Sequence, residues 1–162
     1  MSSPTTKATK QGEGPQYNDF VGRTVLRSIR LIDSRFEMKP EALGTPTSAW
    51  RNSLSQQPGD AFIDEESGVF YGFIRFEMIA RHRRKRIVTA LAQYMVSYQV
   101  TGTCEQVLAD MFVERVGRIA AYPYYRALVA TLVSQAGIVM HPLPMISVAP
   151  RSLASARDLQ EI

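Results

Sequence analysis

"AYPYYRALVATLVSQAG", residues 121–137, sets an aliphatic stripe against a proline and three tyrosines and stops at a glycine. Tyr125, Leu128, Val129, Leu132 and Val133 recur at the i, i+3, i+4 spacing that places them on one face of an α-helix. Pro123 disfavours helical geometry at Tyr122 and suits the first position of a helix, so a helix is expected to start there and to end at Gly137. Before it, Cys104, Val107, Leu108, Met111, Phe112 and Ile119 repeat the same spacing, and Thr103 with Gln106 makes a capping-box start. Two helices are therefore expected, one from Thr103 to about Ala121 and one from Pro123. The apolar segment that follows, "IVMHPLPMISVAP", is held extended by its prolines and should lie against the body.

Upstream of the helices the period is two. In "VFYGFIRFEMIAR" (69–81) Phe70, Ile74, Phe76, Met78 and Ala80 line one face, with Gly72 a gap, while Val69, Tyr71, Phe73 and Ile79 share the other with Arg75 and Glu77. In "IVTALAQYMVSYQV" (87–100) the even positions from Val88 to Val100 are apolar. The pair reads as an antiparallel hairpin. Keeping apolar parity even on both strands requires an odd loop or a bulge, with the tip near Arg83 to Lys85. A further strand is expected in "SIRLIDSRFEM", where Ile32, Phe36 and Met38 share a face until Pro40. The stretch "SAWRNSL" suggests a weaker strand that exposes Trp50.

Residues 1–16 hold no large aliphatic or aromatic side chain after Met1 and are expected to be a disordered arm. Residues 17–150 read as one domain, and 151–162 as a flexible tail. At 162 residues, 45% hydrophobic and 21% charged, the chain has the composition of a globular domain, not of a disordered one. A lone cysteine and no apolar run near twenty residues point to a cytoplasmic protein that does not insert in a membrane.

No catalytic set is visible. His82 and His141 are the only histidines and Cys104 the only cysteine, too few for the common metal sets, and no glycine loop of the phosphate-cradling kind occurs. The acidic turn of Asp60, Asp64, Glu65 and Glu66 reads as a solvated loop, and Cys104 as a small hydrophobe on the helical stripe. The chain is read as a non-enzyme with no cofactor and no metal. Its net charge of +4 is concentrated in Arg81, Arg83, Arg84, Lys85 and Arg86. That basic tip offers a nucleic-acid reading, against which no aromatic residue is interleaved with the cations.

"YPYYRALVATLVSQAG" followed by "PLPMISVAP" resembles the SecB family of export chaperones, through Pro123, Tyr124, Arg126, Val133 and Ser134, then Pro142, Leu143 and Pro150. The order of elements matches too, over roughly residues 24–150. The resemblance implies an α+β fold, a four-stranded antiparallel sheet with two C-terminal helices, and subunits that pair into dimers and then a tetramer. It also implies a holdase that binds unfolded or precursor proteins in apolar grooves without ATP, for protein export or, in divergent members, to control a toxin-antitoxin pair.

Seven methionines and many aromatics suit a surface that must accept varied clients. Trp50, Phe73, Met140 and Leu143 fall on the weak strand, the mixed face or the tail, and are the expected client-binding residues. Tyr94, Tyr98, Leu108, Met111 and Phe112 are expected in the core or an oligomer interface. Export chaperones of the family present acidic residues to SecA. Here the matching strands are rich in arginine and Glu77 is the one candidate for partner docking, which argues against a SecA contact.

Overall fold

The computed structural model describes residues 14–146, so most of the expected arm and all of the expected tail 151–162 lie outside the described residues. Pro15 and Gln16, assigned above to the arm, open helix α1 (Pro15–Gly22). Strand β1 (Thr24–Met38) follows, then β2 (Trp50–Pro58), β3 (Phe62–Asp64), β4 (Val69–His82) and β5 (Lys85–Val100). Helix α2 (Gln106–Phe112) and helix α3 (Arg118–Gln135) complete the order, joined by a π turn over Val113–Gly117.

The strands form one antiparallel sheet in the order β1-β5-β4-β2. Short β3 pairs with β4 beyond the end of β2, so two strands placed end to end share one edge. Gly59 keeps that edge tied across the interruption by donating its amide to the Phe73 carbonyl at 2.7 Å. The expected four strands are thus present, with the weak one longer than expected and the short β3 added.

The hairpin obeys its parity. Arg83 and Arg84 form a two-residue turn, with Arg83 at φ 54°, in the left-handed region. A bulge between the Ala80 and Arg81 pairs, which leaves Ile87 as the extra residue, restores the even face. Phe70, Ile74, Phe76, Met78 and Ala80 of β4 and the even residues of β5 from Val88 to Val100 are all buried beneath the helices. β1 departs from its expected pattern because it bulges twice, leaving Arg27 and Ile32 without a partner in the ladder. Ile32 therefore leaves the face of Phe36 and Met38 and is half exposed.

The helices differ from expectation at both ends of α2. Thr103 is not a cap; the helix starts at Gln106, whose side-chain amide donates to the Ala61 carbonyl (2.7 Å) and to Asp110 (2.9 Å). Nor does Pro123 break the chain, since it lies inside α3 on the exposed side, where the hydrogen bond it forfeits faces solvent. The discontinuity is the π turn, which inserts an extra residue and resets the buried stripe from Ala109, Phe112 and Val113 to Gly117, Ala121, Tyr125, Val129 and Val133. Val107 is left exposed.

Two aromatic groups hold the helices to the sheet on either side of that turn. Phe20, Phe70, Tyr98 and Phe112 form one, with Tyr98 and Phe112 edge-on at 4.9 Å. Phe76, Tyr94, Tyr122 and Tyr125 form the other, with Phe76 stacked on Tyr125 at 5.0 Å.

Candidate polypeptide-binding surface

At the end of α3 Gly137 takes φ +72°, a conformation open to glycine. Its amide donates to the Ser134 carbonyl and the Ile138 amide to the Val133 carbonyl, the paired bonds of a Schellman cap. The cap turns the chain back along the helix. Residues 138–146 then run extended beside α3, held by the Tyr122 hydroxyl donating to the Pro144 carbonyl (2.6 Å) and by Arg126 Nε donating to the Leu143 carbonyl (2.8 Å). Thr47 Oγ1 donates to the Val139 carbonyl (3.0 Å), which ties the segment before β2 to the same stretch.

A groove of about 270 Å³ lies between helix and segment, floored by Val129, Val133, Ile138, Met140 and Leu143, with Arg126 at its side. Along the segment Ile138 and Leu143 are buried, while Val139, at 89% exposure, and Met145, at 76%, face out. Tyr124 on α3 is also exposed. The surface offers apolar contact beside backbone that is already paired. Its lining is mostly apolar, with Arg126, Ser134 and His141 the polar members.

The four expected client-binding residues do not assemble at one place. Met140 and Leu143 meet in the groove, although Leu143 is buried to 5% exposure and anchors the segment more than it lines an open surface. Trp50 is not exposed as expected. It stands in register with His82 on the helix-covered face and is buried, its Nε1 without a hydrogen-bond partner. Phe73 pairs with Met95 on the opposite, uncovered face of the sheet, far in register from the groove. Tyr94, Tyr98 and Phe112 are core residues, while Leu108 and Met111 are half buried at its edge. Glu77 lies on the uncovered face, in a cleft with Arg35, Glu37, Lys39, Arg75 and Arg86. The exposed Val139 and Met145 escaped the sequence reading, because they share the parity of the buried Leu143 and no period-two pattern marks them.

Burial pushes the Cys104 thiol up, partly opposed by Arg23, so the helix start does not activate it. Among the described residues no three His, Cys, Asp or Glu side chains come together as metal ligands. No helix among them is long and apolar enough to cross a membrane.

No family model matches the sequence, and no curated protein matches it. Solved structures do. The Mycobacterium tuberculosis Rv1957 SecB-like chaperone, in complex with a ChAD peptide from the Rv1956 HigA1 antitoxin, superposes with a TM-score of 0.68 at 18% identity, covering 82% of this chain and 97% of its own. A Streptococcus agalactiae protein of unknown function matches with a TM-score of 0.45 at 12% identity, covering 75% of this chain and 96% of its own. An antiparallel sheet crossed on one face by a helix, π turn and helix, with an extended segment folded back beside it, gives this chain a SecB-like α+β fold.

Proposed function

We propose that the protein is an ATP-independent holdase that keeps unfolded or precursor polypeptides from aggregating by seating their apolar segments on exposed grooves. The observation that carries this reading is the apolar surface of a well-packed chain. Eleven large hydrophobic side chains are exposed among the described residues, four of them on β1 and two along the returning segment. Scattered exposed hydrophobes are normal, but contiguous ones mark interaction surfaces. Each client side chain buried there contributes roughly 1.5–3 kcal/mol before ordering costs, so a few contacts reach micromolar affinity, about 8 kcal/mol.

The two clusters suit two roles. Val25, Leu26, Leu31 and Ile32 lie on β1, whose outer edge has no paired strand among the described residues, and support a homo-oligomer, which we take to be a tetramer made as a dimer of dimers. Val139 lines the groove with Met140, and the exposed Met145 follows on the same segment; these support client binding. The lone cysteine suits a cytoplasmic setting, and we take the chain to be a binding protein, not an enzyme.

A second reading concerns the client. The Mycobacterium tuberculosis neighbour carries an antitoxin peptide, which favours control of a toxin-antitoxin pair over export. The arginines around Glu77 weigh the same way, because they oppose docking of a partner that recognises acidic residues.

The test dilutes a chemically unfolded, aggregation-prone protein into buffer with and without this chain and follows light scattering, with mass measured by size exclusion and multi-angle scattering. Suppression complete near one oligomer per client and indifferent to ATP is the expected result. A folded oligomer that leaves aggregation unchanged would overturn the holdase.

A further inference from the structure

Arg51, Arg81 and Arg86 stand side by side on β2, β4 and β5, each in register with the next. Residues in register share a face, so the three form a row about 10 Å wide on the side of the sheet that the helices do not cover. Lys39, whose amide donates to the Ile87 carbonyl (2.9 Å), continues the row toward β1, and Arg83, Arg84 and Lys85 crown it at the turn. Like charges placed directly opposite on neighbouring strands repel. Among the described residues no carboxylate lies within ion-pair distance of any of these cations, the Arg23–Asp19 pair at the other end of the sheet being the one salt bridge found. Arg81 has a side-chain bond to the neutral Ser53 hydroxyl (3.2 Å), which leaves the charge uncompensated.

We infer that this arginine row docks an acidic, extended segment of another polypeptide, on a surface separate from the apolar groove. The guanidinium fork matches carboxylates in two-point geometry, and binding relieves the repulsion within the row. What lies beside the row selects a polypeptide over a nucleic acid. The next register line on the same face is Glu37, Thr89, Ile79 and Ser53, and the one after it is Arg35, Leu91, Glu77 and Ser55. Leu91 offers apolar contact, and Glu37 and Glu77 offer carboxylates, inside a cleft of about 360 Å³ bordered by Arg35, Arg75 and Arg86. A segment of mixed charged and apolar residues matches such lines. A phosphate backbone would meet the two glutamates, and it would find no aromatic side chain within the row on which to stack a base.

The experiment titrates the full chain with three fluorescent probes over a salt series: a peptide alternating Glu with Val and Ser, the same peptide with Lys in place of Glu, and a duplex oligonucleotide of the same total charge as the Glu peptide. The Glu peptide is expected to bind best, more weakly as salt rises. Arg51→Gln/Arg81→Gln/Arg86→Gln should weaken it about tenfold or more and flatten the salt dependence. Because Arg81 is half buried, Arg51→Glu/Arg86→Glu, confined to exposed positions, serves as the second variant and should prefer the Lys peptide. Tighter binding of the duplex, or Glu-peptide affinity unchanged in both variants, would overturn the inference. The titration reads binding directly and so stands whether or not the chain suppresses client aggregation.

Discussion

Val113 occupies the space that a side chain at Gly72 would need: a Cβ built on Gly72 falls 2.5 and 2.6 Å from its two methyl carbons and 3.1 Å from its Cβ. The π turn presses on the sheet here, with Gly117 close to Ile74 and Val96 in the same layer. Because a Cβ cannot swing away, Gly72→Ala should destabilise the fold by about 1–3 kcal/mol through overpacking. Adding Val113→Ala should recover part of that loss, a non-additivity that marks direct contact. Denaturant unfolding of the two single variants and the double variant checks both statements. Equal costs that simply add would mean that the turn does not seat on Gly72.

Two buried tyrosine hydroxyls differ in their partners. That of Tyr125 donates to the Ala90 carbonyl at 2.7 Å and ties α3 to β5, whereas that of Tyr98 is buried with no partner among the described residues. Tyr125→Phe should therefore cost about 1 kcal/mol, and Tyr98→Phe should be neutral or stabilising, because it removes an unpaired polar atom while keeping the ring between Phe70 and Phe112. Thermal unfolding of the two variants should rank them on opposite sides of, or unequally below, the parent. The reverse order would place a missing partner on Tyr98.

The central hairpin was legible because two buried strands that share parity leave even-numbered apolar records from Phe70 to Ala80 and from Val88 to Val100, and the need for an odd loop or a bulge followed from arithmetic on those records. β1 was not, since each bulge flips which residues face inward, and nothing in "RLIDS" marks Ile32 as the extra residue. Trp50 was misplaced for a related reason: its side follows from pairing with His82, a register visible only across strands. Pro123 misled because a proline on the solvent side of a helix costs less than its usual reputation, while the real interruption depends on Gly72 and Gly117 permitting a close approach between distant parts of the chain. Of the candidate site, the tail's attachment was foreseen from its apolar character. Its groove was not, because the Schellman cap at Gly137 determines which side faces out.

Alkali should loosen the core through its tyrosines. Burial pushes Tyr94 and Tyr98 up to about 12 from the ordinary 10, and it raises Tyr125 and Tyr122 as well. A raised value means that the folded state favours the neutral phenol. The stability these groups contribute is complete below pH 10, where both folded and unfolded chains keep the proton, and is lost as pH climbs from 10 toward about 12. The denaturation midpoint should fall across that window together with the appearance of tyrosinate absorbance. Tyr94→Phe/Tyr98→Phe should flatten the fall, and an unchanged slope in that variant would assign the alkaline loss to other groups.

The returning segment hangs on a small number of bonds, and its release can be separated from global unfolding. Arg126 holds the Leu143 carbonyl and also approaches the Met145 sulfur, while Tyr122 holds the Pro144 carbonyl; the buried Ile138 and Leu143 supply the apolar part. Arg126→Ala/Tyr122→Phe removes the ties to Leu143 and Pro144 and keeps the Thr47–Val139 bond and the apolar anchors. Each lost bond costs about 1 kcal/mol, which should let residues 138–146 open far more often without unfolding the sheet. Hydrogen exchange should therefore rise in that segment and stay unchanged in β4 and β5. Under the proposed holdase the same variant should bind an unfolded client with altered affinity, because the segment forms one wall of the groove. Faster exchange with unchanged client binding would place the client elsewhere, with the exposed residues of β1 the next surface to substitute.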